Sequence, residues 1–347
     1  RFLQAPAVMV TGSNGKSTVT SLVGEMLKAA DIKTFVGGNL GTPLCQFVGG
    51  GQEAEWAVLE VSSFQIDTAT SLCPRIGIIV NITPDHLDRY ADFEAYAASK
   101  MGLLRHQTKE DLAILCQDDP QLYARRQQAP GRCWLYGCKE FSGPGGWIQG
   151  DELVLAPGDG RIRLDAAASP LSGRFNRLNL LAAALAAFAC GAKPETMQGV
   201  INSFRTLPHR LEFVAQVEGV DFYDDSKGTN IGAVKAALAA LDQRLVLLLG
   251  GRDKEGRFVE LGPELSANVR GVVCFGEAGP SIKKQLNGLA SCRLAPDLPA
   301  ALEAARELAL PGDAVLLSPG CASFDAYQNY GKRGEHFQAL VKEAAHG

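Results

Sequence analysis

A short apolar run, Val8-Met9-Val10, leads directly into TGSNGKST at residues 11–18, and this junction limits the possible folds more than any other segment. The residues that follow have the apolar spacing of an amphipathic helix. A strand, a glycine turn and a helix beginning with Lys-Ser are typical of a phosphate-binding loop, because backbone N–H groups and the helix N-terminus face the anion. Val10 replaces the first glycine of the common pattern, and an ordinary strand-to-helix turn is the alternative. We predict a nucleotide site formed by Gly12, Ser13, Asn14, Gly15, Lys16, Ser17 and Thr18.

The bulk composition narrows the class of protein. A chain of 347 residues is long for one hydrophobic core and indicates two domains. Its net charge of −4, without a basic tract, argues against nucleic acid as a partner. The longest apolar run, residues 178–190, is shorter than the roughly 20 residues that span a bilayer, so we expect a buried helix and no membrane span. The nine cysteines are scattered without a CxxC pair, which favours reduced thiols in a cytoplasmic protein.

The order of apolar runs predicts an α/β fold with two domains. Strands are predicted at residues 7–10, 33–36, 56–60, 77–80, 112–116 and 133–136, and helices at 16–30, 93–104 and 176–190. This alternation indicates a mostly parallel sheet. Glycine-rich residues 141–165 predict a small antiparallel insertion, and the pattern restarts near residue 207 with strands that end in small-residue turns. We predict a central P-loop domain at residues 1–206, a hinge near 203–207, and a Rossmann-like α/β domain at 207–347.

Two groups of polar residues follow strands of the first domain. Glu60 ends an apolar strand, where a carboxylate is costly to bury unpaired, so it is a natural Mg²⁺ ligand beside Ser17 of the phosphate loop. A surface or capping acid is the alternative. Asp85, His86 and Asp88 cluster after the next strand, and with five histidines in the chain this placement favours a site. Taken alone, His86 also suits a helix cap or an ordinary histidine whose hydrogen bonds are satisfied.

Lys100 lies on the apolar face of its predicted helix. Periodicity alone favours a snorkelling lysine, whose stem is buried and whose ammonium reaches water. Full burial would instead lower its pKa, and a neutral amine can react with CO₂ to form a carbamate that binds metal.

Polar residues also follow the strands of the second domain. DDSKGTN at 224–230 predicts either a helix cap with its turn or an anion site. GGRDKEG at 250–256 places Arg252, Asp253 and Lys254 after a strand, and the segment at 316–334 offers Ser323 and backbone N–H groups to a carboxylate. Cys321 suits packing better than nucleophilic catalysis, because no histidine lies close in sequence.

Together these segments resemble the Mur ligase family. The matching pieces, in the family's order, are TGSNGKST, GGNLG at 37–41, LEVSSFQ, NITPDHLDRY, YAASK, LPHR, DDSKGTN and LLSPGCASFDAY. They are most similar to the D-glutamate-adding members: the DNPR-like motif of the diaminopimelate- and lysine-adding enzymes is missing, and folylpolyglutamate synthases lack the SPxCASFD segment. The family also has an N-terminal UDP-binding domain, which the resemblance implies is absent from this chain. Because the chain opens with Arg1 and reaches its first strand at once, we expect that an N-terminal segment lies outside it.

The resemblance implies an ATP-dependent amide ligase that adds D-glutamate to UDP-N-acetylmuramoyl-L-alanine through an acyl phosphate, in cytoplasmic peptidoglycan precursor synthesis. It implies one Mg²⁺ held by Ser17 and Glu60. A second Mg²⁺ would be held by His86 and a carbamylated Lys100, and these two residues and Lys16 would be catalytic. The implied nucleotide contacts outside the loop are Asn179, Arg210 and Asp225. The implied substrate contacts are Asn39, Ser62, Lys227, Thr229, Lys254, Ser323 and Tyr330.

We expect the protein to be a monomer. Two alternatives to the D-glutamate-adding function stay open. Another Mur ligase or a folylpolyglutamate-synthase-like ligase would use a different amino acid. A P-loop nucleotide-binding module or an inactive fragment would bind nucleotide without catalysing ligation.

Overall fold

A computed structural model describes residues 3–86, 89–171, 173–205, 207–241, 243–253 and 256–346. The chain divides into two compact units, Arg1–Arg205 and Thr206–Gly347. Each unit is built on a mostly parallel sheet with helices, so the predicted α/β class is confirmed. In the described part of the chain, no helix combines the length and apolar character needed to cross a bilayer.

The described residues of the first unit form strands and helices in alternation. The strands are β1 (Ala7–Thr11), β2 (Thr34–Gly38), β3 (Trp56–Glu60), β4 (Ile76–Ile79), β5 (Leu112–Cys116), β6 (Arg132–Gly137), β7 (Gly145–Gln149), β8 (Glu152–Ala156) and β9 (Ile162–Asp165). The helices are α1 (Lys16–Ala29), α2 (Leu44–Gly49), α3 (Ser63–Thr68), α4 (Phe93–Met101), α5 (Pro120–Arg125), α6 (Arg174–Ala189) and α7 (Pro194–Ser203), with 3₁₀ turns at Gly102–Leu104 and Arg126–Gln128.

These strands make one sheet in the order β2-β3-β1-β4-β5-β6-β7-β8-β9. The pairs from β2 to β7 are parallel, and β7-β8-β9 continue the sheet as an antiparallel meander. The predicted antiparallel insertion is therefore an extension of the main sheet. All residues of β1 are buried, as expected for a parallel strand covered on both faces. Because β3, β1 and β4 are parallel neighbours, the segments after Thr11, Glu60 and Ile79 meet at one sheet edge.

The described residues of the second unit form a smaller sheet. Its strands are β10 (Glu212–Val217), β11 (Val220–Asp224), β12 (Leu245–Gly250), β13 (Val269–Phe275), β14 (Cys292–Ala295) and β15 (Ala314–Gly320). Its helices are α8 (Ile231–Leu238), α9 (Gly262–Asn268), α10 (Gly279–Gln285), α11 (Leu298–Leu308) and α12 (Tyr330–His346), with a 3₁₀ turn at Phe258–Leu261. The strand order is β10-β11-β15-β12-β13-β14, parallel except for the β10-β11 hairpin. The loops that follow β11, β15 and β12 therefore adjoin.

Candidate functional site

The TGSNGKST loop is held in a defined shape by the segment that follows β4. The side chain of Asn81 accepts a hydrogen bond from the Asn14 N–H (2.8 Å) and donates one to the Asn14 carbonyl (3.0 Å). The Ser13 N–H donates to the Asn81 carbonyl (2.9 Å), and Lys16 Nζ donates to the Gly12 and Ser13 carbonyls (2.8 Å each). Helix α1 begins at Lys16, directly after Gly15 in a left-handed conformation with φ 84°. The loop thus has the form of an anion-binding turn at a helix N-terminus.

Asn179 of α6 lies against this loop. It is buried, and a Cβ atom added at Gly15 would lie 2.6 Å from Asn179 Oδ1. The structure therefore brings Asn179 to the predicted phosphate site, although the two segments are far apart in sequence.

Ser17, Glu60 and Asn39 also come together at this sheet edge. The Ser17 hydroxyl donates a short hydrogen bond to Glu60 Oε2, and Asn39 Nδ2 donates to Glu60 Oε1 at 2.8 Å. Ser17 and Glu60 are each only 4% exposed. A hydroxyl and a carboxylate beside a phosphate loop are oxygen ligands of the type that Mg²⁺ prefers, so these residues fit the predicted metal site.

Lys100 is buried rather than snorkelling, with 2% of its surface exposed. Its Nζ lies 4.7 Å from the centroid of the Tyr96 ring. Burial lowers the pKa of Lys100 to about 7, and the charge of Lys16 acts in the same direction, while Asp85, Asp67 and Glu60 oppose the shift. A large fraction of this amine is therefore neutral near pH 7.

Tyr96 connects helix α4 to the phosphate loop. Its hydroxyl is hydrogen-bonded to Ser13 Oγ at 3.0 Å, and Ser13 Oγ in turn donates to the Thr83 carbonyl. Burial raises the pKa of Tyr96, so it remains a neutral phenol. Tyr96 and Asn81 were not predicted as site residues, although each lies close to a predicted site residue along the chain.

His86 lies near the same tyrosine. Its ring centroid is 6.3 Å from that of Tyr96 and 4.9 Å from that of Phe64, and Nε2 is 3.7 Å from Asp85 Oδ2. The backbone φ of His86 is 56°, an uncommon value for a residue other than glycine, and such values are enriched at functional sites. Asp88 of the predicted cluster lies outside the described residues.

Ser62 forms a helix cap. Its Oγ accepts from the Gln65 N–H (3.2 Å), and the Gln65 side chain accepts from the Ser62 N–H (2.9 Å), which completes a capping box at the start of α3. Its predicted contact with substrate remains a prediction.

In the second unit, Asp225 is buried and directly follows β11. Its carboxylate accepts from Ser318 Oγ (2.6 Å) and from the Leu211 N–H (3.3 Å). Burial raises the pKa of Asp225 to about 7, opposed mainly by the Ser318 hydrogen bond and the positive charge of Arg210. The predicted nucleotide residues Arg210 and Asp225 are therefore neighbours.

The predicted amino-acid contacts lie on adjoining loops of this unit. Lys227 Nζ lies 4.1 Å from the centroid of the Tyr330 ring, a cation–π contact. Thr229 belongs to the same loop as Lys227, and Ser323, which is 2% exposed, follows β15. Lys254 lies outside the described residues.

A polar network beside these loops was not predicted. Gln338 Nε2 donates to Glu212 Oε2 (3.0 Å) and to Asp224 Oδ2 (2.9 Å), and the His209 ring is hydrogen-bonded to the same Asp224 oxygen (2.7 Å). His209, Glu212 and Asp224 each place one potential metal ligand within 4.8 Å of the others. Hydrogen bonding already accounts for this cluster, so it forms a structural network.

The preformed phosphate loop, the Ser17–Glu60 pair and the second α/β unit define a two-domain nucleotide-binding protein. Residues 10–187 match the family described as Mur ligase middle domain, and residues 209–321 match the family described as Mur ligase, glutamate ligase domain. The chain belongs to the Mur ligase family.

Individual relatives agree with this assignment. A UDP-N-acetylmuramoylalanine–D-glutamate ligase from Syntrophus aciditrophicus (strain SB) is 41% identical over 346 residues, which cover 99% of this chain and 76% of that protein. The structure of a pseudomurein peptide ligase type C from Methanothermus fervidus superposes with a TM-score of 0.77 at 17% identity, covering 98% of this chain and 79% of that chain. The structure of MurF ligase from Thermotoga maritima in complex with ADP superposes with a TM-score of 0.73 at 19% identity, covering 99% of this chain and 80% of that chain. These two structures show a shared fold.

Proposed function

We propose that the chain catalyses the ATP-dependent joining of D-glutamate to UDP-N-acetylmuramoyl-L-alanine. The choice of substrates is supported by the 41% identity, over almost the whole chain, to a ligase of that name. The observation that carries the ligase chemistry is the placement of Lys16, the Ser17–Glu60 pair and the buried Lys100 around one phosphate loop. Lys16 and the metal ions that Glu60 and Lys100 would help to bind would supply the positive charge that phosphoryl transfer to a carboxylate requires.

The reaction follows from the weakness of a carboxylate as an acyl donor. The muramoyl-alanine carboxylate takes the γ-phosphoryl group of ATP, which gives an acyl phosphate and ADP. The D-glutamate amine then attacks the acyl carbon, phosphate leaves, and an amide bond forms as the amine loses a proton. The loop N–H groups and Lys16 would hold the phosphates, and Asn179, Arg210 and Asp225 would contact the rest of the nucleotide.

Two Mg²⁺ sites are part of the proposal. Ser17 and Glu60 would hold one ion, and His86 and a carbamylated Lys100 would hold the other. When bound, these ions supply positive charge that stabilises the transferring phosphoryl group. The lowered pKa of Lys100 supports carbamylation, because only the neutral amine adds to CO₂ and the product then releases a proton.

We assign the remaining predicted residues to the two other substrates. Asn39 and Ser62, at the edge that contains Glu60, would contact the muramoyl-alanine group. The residues that would surround D-glutamate are Lys227, Thr229, Lys254, Ser323 and Tyr330. Because ATP and UDP-linked precursors are cytoplasmic metabolites, this reaction would place the enzyme in the cytoplasm.

The test is a phosphate-release assay on the full-length protein with UDP-N-acetylmuramoyl-L-alanine, ATP, Mg²⁺ and a panel of amino acids. We expect turnover with D-glutamate and none with L-glutamate, L-lysine or diaminopimelate. Turnover with a different amino acid would favour another ligase of this fold, and nucleotide binding without any turnover would favour a non-catalytic module.

The same assay tests the role of Lys100. We expect Lys100→Ala to lower kcat by at least about 100-fold, and bicarbonate or acetate to restore part of it if a carboxylate is the missing group. Lys33→Ala is the matched control, since Lys33 pairs with Glu53 at the surface and should leave kcat unchanged. Full activity of Lys100→Ala would remove the second metal site from the proposal.

A further inference from the structure

Arg333 of α12 is fully buried, with 0% of its surface exposed. Its Nη2 donates to the carbonyls of Ser226 (2.8 Å) and Cys321 (3.1 Å), and its Nη1 donates to those of Ala322 (3.3 Å) and Gly250 (3.4 Å). Its Nε donates to the Ser226 hydroxyl at 2.9 Å. The N–H groups of the guanidinium therefore donate to carbonyl and hydroxyl oxygens rather than to carboxylates.

These acceptors lie at or just beyond the carboxyl ends of three strands, where three loops begin. Ser226 follows β11, Gly250 ends β12, and Cys321 and Ala322 follow β15. The loops adjoin because β15 lies between β11 and β12 in the sheet. A planar group with five N–H donors in a fixed fork can join three carbonyl-bearing loops at once, which a single ammonium cannot do.

The residues that Arg333 holds are next to those assigned to D-glutamate. Ser226 directly precedes Lys227, and Ala322 directly precedes Ser323. Tyr330 lies one helical turn before Arg333, and its carbonyl accepts from the Ser226 hydroxyl at 2.8 Å. Lys227 in turn contacts the Tyr330 ring. The buried Arg333 side chain thus fixes the backbone beside Lys227, Ser323 and Tyr330.

Burying this charge is costly, and the pKa of Arg333 reflects the cost. Burial lowers it to about 10, opposed by Cys321, Asp325, Tyr327 and Asp224, so the group stays charged at neutral pH. An apolar side chain of similar size would pack here at a lower desolvation cost. The hydrogen bonds of the guanidinium offset this cost and fix the relative positions of the three loops.

We propose that Arg333 is a positioning residue for the amino-acid substrate, which holds the loops after β11, β12 and β15 in the arrangement that binds D-glutamate. This inference rests on the proposed function. It differs from a purely structural role, because it requires the substrate affinity of this unit to depend on the guanidinium fork.

The test compares KM values in the full-length enzyme. We expect Arg333→Gln to raise KM for D-glutamate at least about 10-fold. KM for ATP should rise less, because Asp225, the nucleotide residue beside Ser226, is also held by Ser318 and the Leu211 N–H. Arg333→Lys keeps the charge but not the fork, so it should raise KM for D-glutamate nearly as much. Ser226→Ala removes one acceptor of the fork and the link to Tyr330, and it should raise the same KM about threefold or more.

The matched control is Arg270→Gln. Arg270 lies near the start of β13 and bonds Asp313 through two nitrogen atoms, at the opposite end of the strands from the three loops. We expect this variant to lose thermal stability but to change KM for D-glutamate less than about twofold.

The outcomes separate the two proposals. An unchanged KM for D-glutamate in Arg333→Gln, or an equal rise in Arg270→Gln, overturns the positioning role while D-glutamate ligation stands. If Arg333→Gln does not fold, an unchanged KM in Ser226→Ala overturns it instead. A wild-type enzyme that does not use D-glutamate overturns the proposed function and this inference with it.

Discussion

Asp225 shows how the fold sets the chemistry of a single residue. An aspartate ordinarily ionises near pH 3.8, but burial raises its pKa to about 7 despite the hydrogen bond from Ser318 and the charge of Arg210. Lys100 shifts in the opposite direction for the same reason, because burial disfavours the charged form of either group. Two ionisable side chains assigned to the reaction are therefore each about half protonated near pH 7, and such shifts are common where catalytic groups cluster.

The raised pKa of Asp225 predicts a pH dependence of local stability. Between pH 3.8 and about 7 the folded state keeps a proton that the unfolded state releases, so stability falls as pH rises through this window and levels off above it. The slope is at most about 1.4 kcal/mol per pH unit. Asp225→Asn has no carboxyl group to titrate, so its stability does not fall through this window. The stability of the variant minus that of wild type should therefore be larger at pH 8 than at pH 5 by roughly 1–3 kcal/mol.

Hydrogen exchange of strands β11 and β15 measures this difference without nucleotide present. Asp221→Asn, on the same strand but partly exposed, is the control for replacing a carboxylate by an amide. A gain in Asp225→Asn that is equal at the two pH values would contradict the predicted shift.

The sequence identified residues that lie in short motifs and missed those whose partners are distant. Lys16, Ser17 and Glu60 could be found because a phosphate loop and a strand-end acid have recognisable local patterns. Arg333 could not, since its acceptors lie 11 to 107 residues away along the chain. The burial of Lys100 was also ambiguous, because helical spacing alone does not separate a buried lysine from a snorkelling one.

At the scale of secondary structure, buried strands were the most predictable elements. The predicted strands at 56–60 and 112–116 coincide with β3 and β5, whose residues are almost all buried and apolar. Strand β14 was missed because it is a short edge strand with two exposed residues. The predicted helix at 93–104 ends at Met101 and continues as a 3₁₀ turn, because helical ends commonly tighten.

The junction of β1 and α1 depends on one glycine. Gly15 has φ 84°, and a Cβ atom there would also meet Asn179 Oδ1 at 2.6 Å. We expect Gly15→Ala to weaken ADP binding at least about tenfold, measured by calorimetry, because the loop must shift away from its anion-binding shape.

Gly150→Ala is the control for the backbone strain that an alanine causes at a positive φ. Gly150 has φ 62° in the turn between β7 and β8, and nothing lies within 4 Å of an added Cβ. It should lose about 1–2 kcal/mol of stability and leave ADP affinity unchanged. Equal ADP affinity in Gly15→Ala and wild type would show that the loop tolerates the side chain.

At the scale of the whole molecule, each unit has its own hydrophobic core and its own set of predicted contacts. The residues assigned to phosphate and Mg²⁺ belong to the first unit, and those assigned to D-glutamate belong to the second. The chain's three tryptophans, Trp56, Trp134 and Trp147, all lie in the first unit. Tryptophan fluorescence therefore reports the unit that would bind the phosphates.

This placement gives a direct test of nucleotide and metal binding. ADP with Mg²⁺ at about 100 times its Kd should stabilise the folded state by about 2.7 kcal/mol and raise the tryptophan-detected Tm by roughly 5–10 °C. Lys16→Ala should lose this shift and Lys33→Ala should keep it.

The same measurement tests the metal site. Because Ser17 and Glu60 would hold the ion that accompanies the phosphates, EDTA should reduce the shift in wild type. Glu60→Gln should show the same reduced shift with or without Mg²⁺. A full shift in Lys16→Ala would mean that ADP binds away from the TGSNGKST loop, and a Glu60→Gln variant that responds to Mg²⁺ as wild type does would exclude Glu60 as a ligand.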